Sequence, residues 1–357
     1  MTDIFALANS GEKTPAELGY YFPAEFAPHT ATWLSWPHKE ESWPGKIDSV
    51  YAPYSEFIKY VALGEIVNIN VADEAMKAFA LVHLEKAGVK LANIRFHFFP
   101  TNDAWCRDHG PAFLINPDAD VKKVLVKWDY NAWGNKYPPH DLDNQIPIKI
   151  AAELGIPCFK PGIVMEGGSV EFNGKGTLLT SEACLLNENR NPHLNQDQIE
   201  RFLQDFYGVN QILWVGDGII GDDTDGHIDD ITRFVNEDTV VTVVEENKSD
   251  ENHALLQENL ERLHKMRLAN GKQLNVVELP MPDPVIWDDQ RLPASYANFY
   301  IANHAVVVPT FRDKKDQQAL DIISDCFPDR KVVGVDSKDI IWGLGSFHCL
   351  SQQEPAV

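Results

Sequence analysis

Four stretches of the chain bring glycine, acid and His or Cys close enough together to suggest chemistry. The first is Trp105-Cys106-Arg107-Asp108-His109-Gly110-Pro111, which follows a strand-like run and is bounded by Gly-Pro, so it is expected on a loop or strand end. An Arg beside an Asp is ordinarily an ion pair; it can also grip a ligand. The second is Met165-Glu166-Gly167-Gly168-Ser169, where two glycines after an acid let the backbone approach a neighbour closely. A tight turn with a solvated Glu is the plainer alternative. The third runs from Gly221 to Asp230, with Asp222, Asp223, Asp225, Asp229 and Asp230 around His227. A calcium loop aligned on Gly226 would need an Asp at Gly221 and a Glu at Thr232, so that pattern fails at both ends. Read as part of a strand, His227 and Asp229 are two apart and share a face. A divalent metal is the competing use, although no HxH or HExxH set of ligands is present. The fourth is Gly343-Leu344-Gly345-Ser346-Phe347-His348-Cys349. Cys349 could be a small buried hydrophobe, or a nucleophile on a tight loop with a His supplied from elsewhere.

The elements that must position these stretches alternate between a helical period and short β-rich runs. Residues 73–87 read as a helix opening near Asp73, followed by a strand-like run over 94–99. Residues 143–154 read as a helix ending at Gly155, and 195–207 as a helix capped by Asn195 and ended by Gly208, with a strand after it. Residues 250–268 open with Asp250 and lead into Leu274–Leu279; residues 313–326 lead into Lys331–Asp336. These helix-then-strand units recur at roughly 60-residue intervals, the kind of spacing that repeat-built folds show. A plain α/β sheet with irregular insertions fits the pattern slightly better than a ring of repeats.

The chain has 357 residues, of which 44% are hydrophobic and 24% charged, so it is a globular protein rather than a disordered or fibrous one. It has 53 acids against 31 Lys and Arg, a net charge of −22. That balance argues against binding phosphate backbones or an anionic membrane surface and favours cationic ligands. Cys106, Cys158, Cys184, Cys326 and Cys349 form no Cys-x-x-Cys pair, which argues against a disulfide framework or a structural zinc site. The opening MTDIFALANS has no basic segment followed by an apolar one, and a cytoplasmic location is expected. No linker-like tract divides the chain, so one domain over 1–357 is expected.

Taken together, the four stretches resemble the agmatine deiminase and Porphyromonas-type peptidylarginine deiminase family of the guanidine-modifying superfamily. The likeness extends through residues 23–37, 130–146, 177–194, 291–311 and 346–355, in order and spacing. It implies a five-bladed, pseudo-fivefold α/β propeller of ββαβ-type units around a central site. It also implies Cys349 as nucleophile, His227 as general acid and base, and Glu166 as the acid paired with that His. Asp108 and Asp229 would grip the guanidinium, Trp105 would flank the substrate, and Asp223 would face its amine end. The run before Cys349 departs from the family's usual Gly-Gly-Gly-Asn-Ile-His-Cys at Leu344, Ser346 and Phe347. The expected reaction converts agmatine to N-carbamoylputrescine and ammonia, with no metal or organic cofactor. The partner expected is a small cationic guanidine, with homo-oligomer formation left open.

Two other readings are weighed against it. A peptidylarginine deiminase would need an open cleft. A non-catalytic acidic or metal-binding module would leave His227, Glu166 and Cys349 unrelated. Cys106, Cys158, Cys184 and Cys326 are expected to be packing residues, as are Trp33, Trp36 and Trp43. His97, His253 and His264 are expected to be structural or solvated. Asn131, Trp133 and Asn298 could line the pocket.

Overall fold

A computed structural model describes residues 4–357; the first three positions of the domain expected over 1–357 lie outside the described residues. Five small sheets share one plan, an antiparallel pair of strands followed by a parallel partner reached through a helical crossover. Ala112–Ile115 pairs antiparallel with Lys123–Val126, which pairs parallel with Cys158–Phe159. Val170–Phe172, Thr177–Ser181 and Gln211–Val215 repeat the arrangement. So do Thr232–Asn236, Thr239–Val244 and Asn275–Pro280. Tyr300–Ile301, Ala305–Thr310 and Lys331–Asp336 form the fourth such sheet. In the fifth, the last strand of the chain, Ser351–Pro355, pairs antiparallel with His29–Ser35 near its start. His29–Ser35 then pairs parallel with Ile66–Asn70, and that strand with Ile94–His97.

The helical crossovers follow the sequence signals. Asp73 caps Glu74–Ala87 by accepting from the Met76 amide at 2.9 Å. Asn195 and Gln198 cap Gln196–Tyr207 reciprocally, satisfying two otherwise orphaned donors. Both helices end at a left-handed glycine, Gly88 and Gly208. Residues 143–145 form a 3-10 turn that runs into the helix Ile146–Leu154, closed by Gly155. The helix predicted from 250 ends earlier than its pattern, at Lys265, where the chain turns extended at Met266. The middle strands are apolar on both faces: Val306, Val307 and Val308 are all fully buried. A strand covered by helices on one side and by neighbouring sheets on the other reads as a continuous apolar run. Trp33, Trp36 and Trp43 are fully buried, as expected.

The interior also holds an ion network. Glu25 accepts from Arg107 and Arg233 at 2.9 Å each, from the Ile301 amide at 2.8 Å, and faces His348 Nε2 at 2.8 Å. Arg233 also donates to Glu171 at 2.9 Å. Buried charges are tolerated only when paired and hydrogen-bonded, and here every member of the network has such partners. The network ties together residues distant in the chain that lie beside the first strands of different sheets. No described helix is long and apolar enough to cross a membrane.

Candidate active site

Each chemistry-bearing stretch lies immediately before the first strand of one of the five sheets. Asp108 precedes Ala112–Ile115, Glu166 precedes Val170–Phe172, and His227 and Asp229 precede Thr232–Asn236. Asn298 precedes Tyr300–Ile301, and Cys349 precedes Ser351–Pro355. Two local expectations change here. Cys106–His109 is a short helix rather than a plain loop, with Trp105 at its N-cap. His227 is not in a strand: it caps a 3-10 turn, Ile228–Asp230. The turn still brings His227 and Asp229 to one place.

That place is defined by Gly168. A Cβ built on it would lie 2.6 Å from His227 Nδ1, 2.9 Å from Asp108 Oδ1 and 3.1 Å from Asp229 Oδ2. No side chain fits where three polar groups converge on this backbone. The Gly168 amide donates to Asp108 Oδ1 at 3.0 Å, and Trp133 Nε1 donates to Oδ2 at 3.0 Å. His227 Nδ1 lies 3.7 Å from Asp108 Oδ1. Both His227 ring nitrogens, Glu166 Oε2 and Asp229 Oδ1 are buried without a protein hydrogen-bond partner. Buried polar atoms left unpaired are rare and call for an explanation.

Cys349 stands on a loop squeezed from both flanks. A Cβ at Gly343 would lie 2.6 Å from the Trp43 indole, and one at Gly345 would lie 2.7 Å from Trp105 and 3.0 Å from Cys349 Cβ. Asn298 fixes Cys349 from the other side. Its Nδ2 donates to Cys349 Sγ at 3.0 Å and to Asp230 Oδ1 at 2.9 Å. Its Oδ1 accepts from the amides of His348 and Cys349 at 3.1 and 3.3 Å. Sγ lies 3.5 Å from Asp229 Oδ2. Burial first, then the charges of Asp229, Asp230 and Asp108, push the thiol well above its ordinary range, which disfavours the thiolate.

The other titratable groups are displaced for stated reasons. Burial pushes Asp108 up to about 6, against the pull of His227; Asp229 and Glu166 add to the rise. Burial would lower His227, but the Asp108 charge, with Cys184 and Asp229, outweighs it and holds the ring well above its ordinary value. Burial would raise Asp229; its hydrogen bond to His348 at 2.6 Å and the cations around it bring it below its ordinary value instead.

A cleft of about 230 Å³ opens onto this group, and Asp108, Trp105, Trp133, Asp223, Leu344 and Cys349 all reach its wall. Asp223 sits toward the outside, where the Tyr137 hydroxyl donates to its carboxylate and Lys136 lies 3.5 Å away. The family resemblance pairs Glu166 with His227. Arg190 Nε instead donates to Glu166 Oε1 at 2.7 Å, while a Glu166 oxygen, a His227 nitrogen and Cys184 Sγ lie within 4.8 Å of one another. Cys184, expected to be a packing residue, is therefore a neighbour of the candidate base. That set, and the set Asp229, Asp230 and Cys349, have metal-ligand spacing. Arg190 against Glu166 already supplies the positive charge that a metal would bring to the first set.

Sequence reasoning missed Glu25, Arg190 and the role of His348. Glu25 and Arg190 sit in runs with no pattern of their own, and only the fold brings them in. His348, beside Cys349, was the visible signal.

The sequence profile described as Porphyromonas-type peptidyl-arginine deiminase matches residues 21–355. An agmatine deiminase of Ectopseudomonas mendocina is 35% identical over 366 residues, covering 96% of this chain and 97% of that protein. An agmatine deiminase of Pseudomonas syringae pv. tomato is 34% identical over 366 residues, with the same coverage of both chains, 96% and 97%. The solved structure of the agmatine deiminase of Enterococcus faecalis superposes with a TM-score of 0.91 at 33% identity, over 96% of this chain and 98% of that one. The mixed α/β fold is thus shared over essentially the whole length.

Proposed function

The chain belongs to the Porphyromonas-type peptidyl-arginine deiminase family, and from that premise we propose that it is an agmatine deiminase, a hydrolase that converts agmatine to N-carbamoylputrescine and ammonia. The observation that carries the reading is the set of unpartnered buried atoms on Glu166, His227 and Asp229, gathered beside Asp108 and next to a cysteine at the wall of a cleft. A guanidinium is a planar cation with N–H groups all round its edge. Carboxylates bind such an edge through charge-assisted hydrogen bonds. Asp108 and Asp229 would hold it in plane and set its central carbon over Cys349 Sγ.

The bound cation brings positive charge beside the sulfur and so favours the thiolate, the thiol proton leaving to solvent. Attack forms the C–S bond and a tetrahedral adduct. His227 gives a proton to the departing nitrogen, which leaves as ammonia and breaks a C–N bond. Water, its proton taken by His227, then adds to the amidino-thioether carbon; the C–S bond breaks, freeing the thiol and the ureido product. Glu166, steered by Arg190, would stabilise the imidazolium. Trp105 would flank the substrate. The charged residues of the cleft wall are Glu41, Asp103, Asp108 and Asp223 against Lys39, which suits a substrate with a second positive charge at its amine end. Asp223 at the outer wall is the acid best placed for that end.

Five sheets of one strand plan, each feeding one segment into the site, support a five-bladed α/β propeller in a single domain. The test is ammonia release from agmatine, free arginine and an arginyl peptide, with Cys349→Ala as blank. Turnover of agmatine that disappears in Cys349→Ala is expected. Turnover of the peptide alone would make the enzyme a protein-arginine deiminase instead.

A further inference from the structure

The loop that carries the nucleophile contains a backbone irregularity beside the substrate cleft. Leu344 has φ 71° and ψ 17°, the left-handed conformation, at the end of the 3-10 turn Ile341–Gly343, where its amide donates to Ile341 O at 2.9 Å. That is the position at which glycine is the favoured residue, because a Cβ is disfavoured there. A branched side chain held in this conformation is strained, and strain of this kind clusters at functional sites. The neighbours explain why the loop cannot relax: Gly343 and Gly345 are packed against Trp43 and Trp105 with no room for a Cβ. The loop therefore fixes the direction of the Leu344 side chain. That side chain packs against a core cluster that includes Leu292 and Ile341, and lines the cleft together with Leu292, Trp287 and Trp342.

One wall of the cleft is thus apolar, while its charged residues are four acids and one lysine. Methylene groups lie well against such a wall. A carboxylate or peptide group would lose its water there without gaining a partner.

We propose that Leu344 is a specificity-determining residue: its side chain, held by the strained turn, narrows the cleft against guanidines whose aliphatic tail carries a carboxylate or peptide substituent. The proposal rests on the deiminase reading above and deepens it. A hydrophobic contact of this size discriminates by roughly 10–200-fold, which sets the scale of the effect.

The test measures kcat/KM for agmatine and for a blocked arginine amide with the wild type, Leu344→Gly and Leu344→Ala, and the melting temperature of each. Both variants remove the wall, so the preference for agmatine over the arginine amide falls about tenfold or more in each. Leu344→Ala keeps a Cβ in the left-handed region and Leu344→Gly does not, so the glycine variant melts higher, by about 1–3 °C. That ordering shows that both variants fold and that the strain is located at this residue. A preference unchanged within about twofold in both folded variants overturns the proposal and leaves the deiminase reading intact. Absence of agmatine turnover in the wild type overturns that reading, and this proposal with it.

Discussion

His348 lies between two carboxylates, with Nδ1 at 2.6 Å from Asp229 Oδ2 and Nε2 at 2.8 Å from Glu25 Oε2. Each ring nitrogen thus faces a carboxylate oxygen, and an ionised carboxylate can only accept. This holds Asp229 below its ordinary range despite burial and turns its free Oδ1 to the site. Asp108 faces His227 only at 3.7 Å, and burial raises it to about 6 against that pull. Asp108 and Asp229, the two carboxylates proposed to grip the substrate, therefore differ in the pH at which they charge. Because the folded-state value of Asp108 is raised, the group is protonated below about 6 and anionic above it. The kcat/KM for a cationic guanidine is predicted to fall as the pH drops through about 6, and a pH profile of initial rates checks this. A profile flat down to pH about 4.5, close to the ordinary carboxylate range, would contradict the role given to Asp108. At this scale the sequence was legible where residue types are unusual together, as in Cys349 after a glycine-rich run or His227 among aspartates. Glu25 and Arg190 were not legible, because a buried charge is recognised only by its partners, and those come from distant segments.

Elements matter here mainly for where they end. The candidate site segments are the turns just before the first strand of each of the five sheets, and strand pairing fixes each turn relative to the others. Gly168 shows how tight the result is, with His227, Asp108 and Asp229 all within 3.1 Å of the point where an alanine methyl would sit. Gly168→Ala is predicted to lower kcat about 100-fold, since a displacement near 1 Å at reacting groups costs that much. The overpacking should remove only about 1–3 kcal/mol of stability. Steady-state kinetics and denaturant unfolding on the same sample separate the two effects; a kcat within a fewfold of wild type would show that the three groups are not the reacting set. Helix limits were legible because caps are local: Asp73, Asn195, Gly155 and Gly208 all act where expected. The 3-10 turn at Ile228–Asp230 and the short helix at Cys106–His109 were not, because tertiary contacts set them. Asn298 Nδ2 donates to Asp230 Oδ1 at 2.9 Å, and the Arg107 amide donates to Cys349 O at 3.1 Å.

The whole molecule brings together segments that span most of the chain. Its final strand completes the sheet begun near its start, so Cys349 reaches acids contributed by the middle. Periodicity alone suggests repeats without deciding between a ring and a plain sheet, because the sheet of His29–Ser35 carries an additional parallel strand and takes in the last strand of the chain. The shared strand plan becomes evident only from the pairings. The net charge of −22 is a property of the whole chain, whereas the proposed selectivity for a guanidine rests on a few atoms at the cleft. The central claim is that Cys349 bonds to the guanidine carbon during turnover, and rapid acid quenching during steady-state turnover of agmatine, followed by peptide mass analysis, tests it most directly. The account predicts that the peptide containing Cys349 gains the mass of agmatine less ammonia, and that no other cysteine does. Full turnover with Cys349 replaced by alanine, or the added mass on another cysteine, would contradict it.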